Sequence, residues 1–206
     1  MILLALVALV LPTSEYVMYQ TCDHGRLDTM EATLLKDTLG YHIFYVSDRT
    51  IEIILDSMTL QTCYVKKVIN GETNVEVIND QAYRVFYKGR EHKYANDGLV
   101  YDRHTLDFAF RGLCLSAGYR SRIRLAIPEF RIVNADLEVV GTEILRTPAG
   151  VFTCWKLKMS PRIIFIKRDF YFWYEQEYPH RFVKLSDAGG KNQMLLVQYR
   201  SPSEKP

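Results

Sequence analysis

The chain has no C-x-x-C pair, and its four cysteines, Cys22, Cys63, Cys114 and Cys154, are scattered over 206 residues. Zinc sites and thioredoxin-like redox centres rest on close cysteine spacing, so both lose their usual sequence basis. An excess of one charge is also missing: 26 Lys and Arg against 24 Asp and Glu leave a formal charge of +2. A general nucleic-acid binder concentrates positive charge to displace phosphate counterions, and this composition argues against one. No G-x-S-x-G elbow, Walker loop or dinucleotide glycine pattern occurs. The five histidines, His24, His42, His92, His104 and His180, never pair at intervals such as H-x-x-x-H, so no metal and no cofactor is expected. These absences leave no catalytic residues to assign, and a protein that is not an enzyme is expected.

Nor does any apolar run reach the roughly 20 residues of a membrane-spanning helix. The longest, residues 2–11, has the length of a signal-peptide core and points to export. It lacks a preceding basic region, and Pro12-Thr-Ser-Glu15 contains no small-x-small cleavage site. A buried strand or helix is the competing reading. Residues 1–14 are therefore delimited as signal-peptide-like, 15–200 as one domain without a Pro-, Gly- or Ser-rich linker, and 201–206 as a tail. Cys22 follows Tyr19-Gln-Thr instead of a lipobox, so a soluble exported protein is expected rather than a lipoprotein. In an oxidising compartment the cysteines allow one or two disulfides, with three connectivities for a full set; free buried thiols are the alternative.

What is present is alternation. In Glu138–Lys158, two runs of β-branched and apolar residues flank Thr147-Pro-Ala-Gly150, where Pro148 presets a type I turn and Gly150 supplies the positive φ that closes a bulged hairpin. Val151, Thr153, Trp155, Leu157 and Met159 are expected on one face of the return strand, with Lys156 and Lys158 on the other. Strands are also expected at 16–22, 26–35, 41–47, 50–56, 60–69, 73–78, 82–87, 121–127, 131–140, 163–174, 182–186 and 193–199, with Asn70-Gly71 and Gly189-Gly190 as hairpin turns. Between them, Leu106, Phe110 and Leu113 recur at helical spacing, so one short helix spans about 102–112, capped by Asp102 and ended by Gly112. The result is a mainly β, antiparallel domain with one helix laid on a sheet.

Three groupings are candidates for contact with other molecules. Arg120, Arg122 and Arg124 alternate along a strand and would share one face, either as a solvated surface or as a contact for an anionic membrane or acidic partner. Phe170-Tyr-Phe-Trp-Tyr174 puts large rings on both faces of its strand, so both faces are expected to be covered. Its rings either complete a double-sided core or wall an apolar ligand cavity, with Trp155, Leu157, Phe172 and Tyr174 as candidate lining. His104 follows Asp102 by two residues, but helix capping gives that carboxylate a structural task.

Four stretches together resemble a known family: Leu55-Asp-Ser-Met-Thr-Leu-Gln61; Tyr101-Asp102 with Arg111-Gly112-Leu113; Gly141-x-Glu143 with Thr147-Pro-Ala-Gly150-x-Phe152; and Phe172-Trp173 with Pro179 to Leu185. They are similar to the bacterial exported proteins grouped as domain of unknown function 3108, over most of residues 16–200. The resemblance implies a periplasmic or cell-envelope protein whose antiparallel sheet curls into a β-roll or partly open barrel, with no established activity. An exported, non-enzymatic protein that binds an apolar ligand or lipid is therefore expected, with peripheral contact at a membrane through the arginines as an added feature. An envelope assembly protein acting through protein contacts is the alternative, and a hydrolase of envelope polymers, using His104 or His180 beside a carboxylate, is the third reading.

Overall fold

A computed structural model describes residues 11–95, 98–129, 131–163 and 168–201. Among them fifteen strands form a single sheet. The first eight follow one another as a meander: β1 (Ser14–Asp23), β2 (Arg26–Lys36), β3 (Tyr41–Val46), β4 (Arg49–Leu55), β5 (Thr62–Ile69), β6 (Glu72–Asn79), β7 (Ala82–Tyr87) and β8 (Arg90–Ala95). After β9 (Val100–Asp102) comes a single-turn helix, α1 (Leu106–Ala109), continued by a 3-10 turn over Phe110–Gly112. The second meander is β10 (Arg120–Ile127), β11 (Arg131–Thr147), β12 (Gly150–Pro161), β13 (Phe170–Glu175), β14 (Phe182–Asp187) and β15 (Asn192–Arg200). β1 pairs with β15 and joins the meanders, so β8 and β9 lie at the two edges. Every pairing is antiparallel except β9 with β10.

Local chemistry explains the meander. His24-Gly25, Asn70-Gly71 and Lys88-Gly89 each join strands through two residues of positive φ, the turn whose twist matches that of the flanking strands. Strict alternation then fixes the buried face, as with Tyr41, Ile43 and Tyr45 in β3, Ile51, Ile53 and Leu55 in β4, and Val133, Ala135, Leu137 and Val139 in β11.

The sheet curls until its two edges approach. Only residues 96–99 separate β8 from β9, and Arg124 Nη2 donates to the Ala95 carbonyl at 3.3 Å. β9, α1 and the 3-10 turn then cross the concave side as a plug. The Tyr83 hydroxyl of β7 donates to Asp102 Oδ2 at 2.9 Å, and Tyr45 of β3 donates to Asp107 Oδ2 at 2.5 Å. Tyr174 of β13 donates to the Leu106 carbonyl at 2.8 Å. Phe108 packs edge-on to Tyr45, and Phe110 packs against Tyr101, Phe172 and Tyr174. Much of the roll is therefore filled by the chain's own aromatic rings.

Several expectations need correction. The helix is shorter than 102–112, because Asp102 ends β9 and only Leu106–Ala109 is α-helical. Thr105 occupies the N-cap without a side-chain cap bond, while Asp102 Oδ1 accepts from the backbone N–H of His104 at 2.9 Å. In β12 the buried set is Phe152 and Cys154 followed by Leu157 and Met159, with Val151 and Thr153 exposed. Beside this switch, opposite Leu157 and Lys156, β11 carries a bulge between Val139 and Gly141. Of the expected strand at 163–174, residues 164–167 lie outside those described and β13 starts at Phe170. β8 and β9 were not foreseen; β8, Arg90-Glu-His-Lys-Tyr-Ala95, is charged on both faces and lacks the alternation that marks a half-buried strand. Residues 1–10 and 202–206 also lie outside the described set. Leu11 is buried and its carbonyl accepts from Tyr41 at 3.3 Å, so the packed domain begins ahead of residue 15. All four cysteines are free thiols.

Candidate functional site

The plug leaves two adjoining apolar cavities on the concave side. The larger, about 360 Å³, is walled by Leu106 of α1, Leu125 and Ile127 of β10, Met159 of β12, and Phe170 and Phe172 of β13. A smaller one of about 220 Å³ lies between Met30, Tyr45 and Ile51 on one side and Phe182 and Met194 on the other. Arg103, Leu106, Phe172 and Leu185 line both. The larger falls within the range of small-molecule pockets, about 300–1,000 Å³.

Polar groups sit only at particular points of this apolar wall. Arg103 donates to Glu129 Oε1 at 2.5 Å, and the same oxygen lies 3.6 Å from Lys67 Nζ on β5. Burial pulls the Lys67 ammonium pKa down, and Glu129 works against that shift. Arg168 donates to Asp187 Oδ2 at 2.6 Å; that bond, together with one from Asn192, holds the Asp187 carboxyl well below the usual carboxylate range. In the smaller cavity Asp107 is a buried acid whose pKa burial pushes up to about 6, against the hydrogen bond from Tyr45. His104 lines the same cavity, with Nδ1 at 2.7 Å from Asp102 Oδ1.

The four residues expected to line one cavity do not meet in one. Phe172 lines both apolar cavities. Trp155 and Tyr174 face a separate, more polar recess of about 470 Å³ with Arg111, Glu175 and His180. Leu157 lines none of the three; it is fully buried in solid core. Both faces of β13 are covered: Phe172 and Tyr174 pack on the plug, while Trp173, 5% exposed on the other face, donates to Glu143 Oε2 at 2.8 Å beneath Lys156 and Lys184.

The arginine stripe lies on β10 as expected, but β11 sets carboxylates beside it. Arg120 donates to Glu138 at 2.5 Å and Arg122 to Asp136 at 2.9 Å, with Arg162 on the other oxygen of Asp136 at 2.6 Å. Of the two histidines considered for catalysis, His180 Nδ1 lies 3.2 Å from the Glu175 carbonyl oxygen, whereas His104 does reach a carboxylate. Among the described residues, no serine, cysteine or threonine lines the cavity that His104 borders. Among the described residues, no three His, Cys, Asp or Glu side chains are grouped to hold a metal, and no helix is long and apolar enough to cross a membrane.

Sequence reasoning missed Asp107, Arg111 and Glu15. The i, i+4 spacing of Asp107 and Arg111 within Leu106-Asp-Phe-Ala-Phe-Arg111 suggests a wet helical face; both are buried because the sheet surrounds the plug.

Residues 30–197 match the family described as Protein of unknown function (DUF3108), and the chain belongs to that family. No curated protein matches it. Among solved structures the chain is similar to a β-barrel-like protein of domain of unknown function DUF1849 from Brucella abortus. That match has a TM-score of 0.58 and 12% identity, covering 92% of this chain and 98% of that one. It is also similar to a protein from Bacteroides fragilis described as exported, with a YmcC-like fold, at a TM-score of 0.40 and 16% identity over 94% and 100% of the two chains. The lipoprotein LppX of Mycobacterium tuberculosis matches at 0.28 and 13% over 92% and 85%. The first likeness defines the fold as a β-barrel-like curled sheet.

Proposed function

We propose that this member of the DUF3108 family is an exported, non-enzymatic cell-envelope protein that holds an apolar ligand, such as an acyl chain, inside its curled sheet. The observation that carries this reading is the 360 Å³ cavity, whose walls are apolar apart from Arg103 and Arg168. Each methylene moved from water into such a site gains about 0.8 kcal/mol, so affinity requires no catalytic group. The signal-like residues 2–11 support an envelope location. Leu185 stands on the wall common to both cavities, and Leu185→Trp fills that space. Wild-type protein is expected to take up a fluorescent fatty-acid probe that Leu185→Trp excludes while keeping its melting temperature within a few degrees. Equal uptake by the two proteins would place the probe elsewhere and remove this reading.

A second reading, assembly through protein contacts, is favoured by the β11–β12 hairpin, where Ile144 and Val151 are 69% and 58% exposed. Cross-linking in cells from a residue placed at position 144 tests it: a captured envelope protein would support assembly, and capture of none would leave the cavity reading alone.

A further inference from the structure

The concave side contains one polar group that an apolar ligand does not explain. Asp102 is fully buried and accepts from the Tyr83 hydroxyl at 2.9 Å, from the His104 backbone N–H at 2.9 Å and from His104 Nδ1 at 2.7 Å. This commits the Nδ1 side of the imidazole. The His104 side chain is 9% exposed and lines the 220 Å³ cavity, and its Nε2 has no hydrogen-bond partner among the described residues. A buried polar atom left in that condition calls for a partner. Arg103 stands on the same wall and on that of the larger cavity.

We propose that His104 Nε2 anchors the head group of a single-chain carboxylic acid whose hydrocarbon tail runs over Leu106, Phe172 and Leu185 into the larger cavity. This rests on the apolar-ligand reading above and adds the head group to it. A carboxyl group satisfies this nitrogen in either protonation state: a carboxylate accepts from Nε2–H, and a carboxylic acid donates to bare Nε2. With Asp102 fixing the ring, the nitrogen is presented in one orientation. A hydroxyl head group also meets Nε2, but through a neutral hydrogen bond that is weaker than the charge-assisted one a carboxylate forms there, so the acid is preferred over the alcohol. Asp107, on the same wall, opposes an anion while ionised; burial raises its carboxyl pKa to about 6, against the hydrogen bond from Tyr45, so this opposition weakens as pH falls through about 6.

Oleic acid and oleyl alcohol, matched in tail and different in head, test the anchor on the full chain. Wild type is expected to bind the acid at least about tenfold more tightly than the alcohol at pH 7, a difference of about 1.4 kcal/mol. His104→Ala should erase that preference while keeping affinity for the alcohol, and His104→Gln, which retains an N–H donor, should keep part of it. In NMR, oleate should shift the Nε2 resonance of His104 in wild type, a readout that does not depend on either variant folding. Equal affinity for the two amphiphiles, or an unmoved Nε2 resonance, overturns the anchor and leaves the apolar-ligand reading standing. No binding of either amphiphile overturns both.

Discussion

Arg111, in the plug, and Glu15, in β1, form a buried ion pair across 96 positions of sequence. Arg111 Nη2 also donates to the Pro179 carbonyl at 2.9 Å, and the Tyr199 hydroxyl donates to Glu15 Oε2 at 3.1 Å. Burial works against the Arg111 charge, and the Glu15 carboxylate outweighs it, so the guanidinium stays protonated. The pair ties the plug to β1, the strand that pairs with β15 where the two meanders join.

Removing one member of this pair leaves an uncompensated buried charge. Arg111→Ala is expected to cost about 3–5 kcal/mol, whereas the double change Arg111→Met with Glu15→Leu costs much less. Urea denaturation of wild type, both single variants and the double variant checks this. Equal losses for single and double changes would show that the charges are not coupled.

Asp107 gives a pH signature. Its carboxyl is raised from 3.8 to about 6 in the folded protein, so the folded state binds the proton more tightly than the unfolded chain. Stability from this group is therefore fully present below about pH 4 and falls as pH rises towards 6, by an amount on the order of 2–3 kcal/mol. Asp107→Asn should flatten that slope and raise stability at pH 7. Thermal melts from pH 4 to 7 that stay parallel for the two proteins would contradict it.

Gly40 precedes β3 at φ +142°, and a Cβ there would lie 2.1 Å from the Leu55 carbonyl oxygen. Gly40→Ala is expected to destabilise by at least about 2 kcal/mol, since backbone must move. Gly25→Asn, at φ +87° with nothing within 4 Å, should cost under about 1 kcal/mol. Melting temperatures of the two variants compare them directly.

The β10 arginines should add little to membrane contact. Arg120 and Arg122 already face Glu138 and Asp136, and exposed pairs of this kind contribute about 0–1 kcal/mol. Arg122→Glu with Arg124→Glu is expected to leave sedimentation with anionic vesicles unchanged. Loss of sedimentation would restore the stripe as a membrane contact.

Much of the sheet could be read from local pattern. Asn70-Gly71 and Thr147-Pro-Ala-Gly150 join the strands expected of them because turn chemistry is set by a few adjacent residues. The candidate site was less legible. Phe172 borders both apolar cavities, but Trp155, Leu157 and Tyr174 lie elsewhere because a bulge at Gly141 and another at Trp173 alter the pairing along the hairpin and β13. Alternation assigns residues to faces only between such bulges. Asp102 does not cap the helix as expected, since Thr105 takes the N-cap and Tyr83, on a distant strand, holds the carboxylate in the folded plug.

Native mass spectrometry of the full chain purified gently from cell envelopes, followed by solvent extraction, tests most directly whether the curled sheet holds a ligand. Wild type should carry a single-chain lipid that extraction releases and that Leu185→Trp lacks. A wild type that arrives at its bare polypeptide mass and takes up no added acyl chain would contradict a ligand-holding cavity.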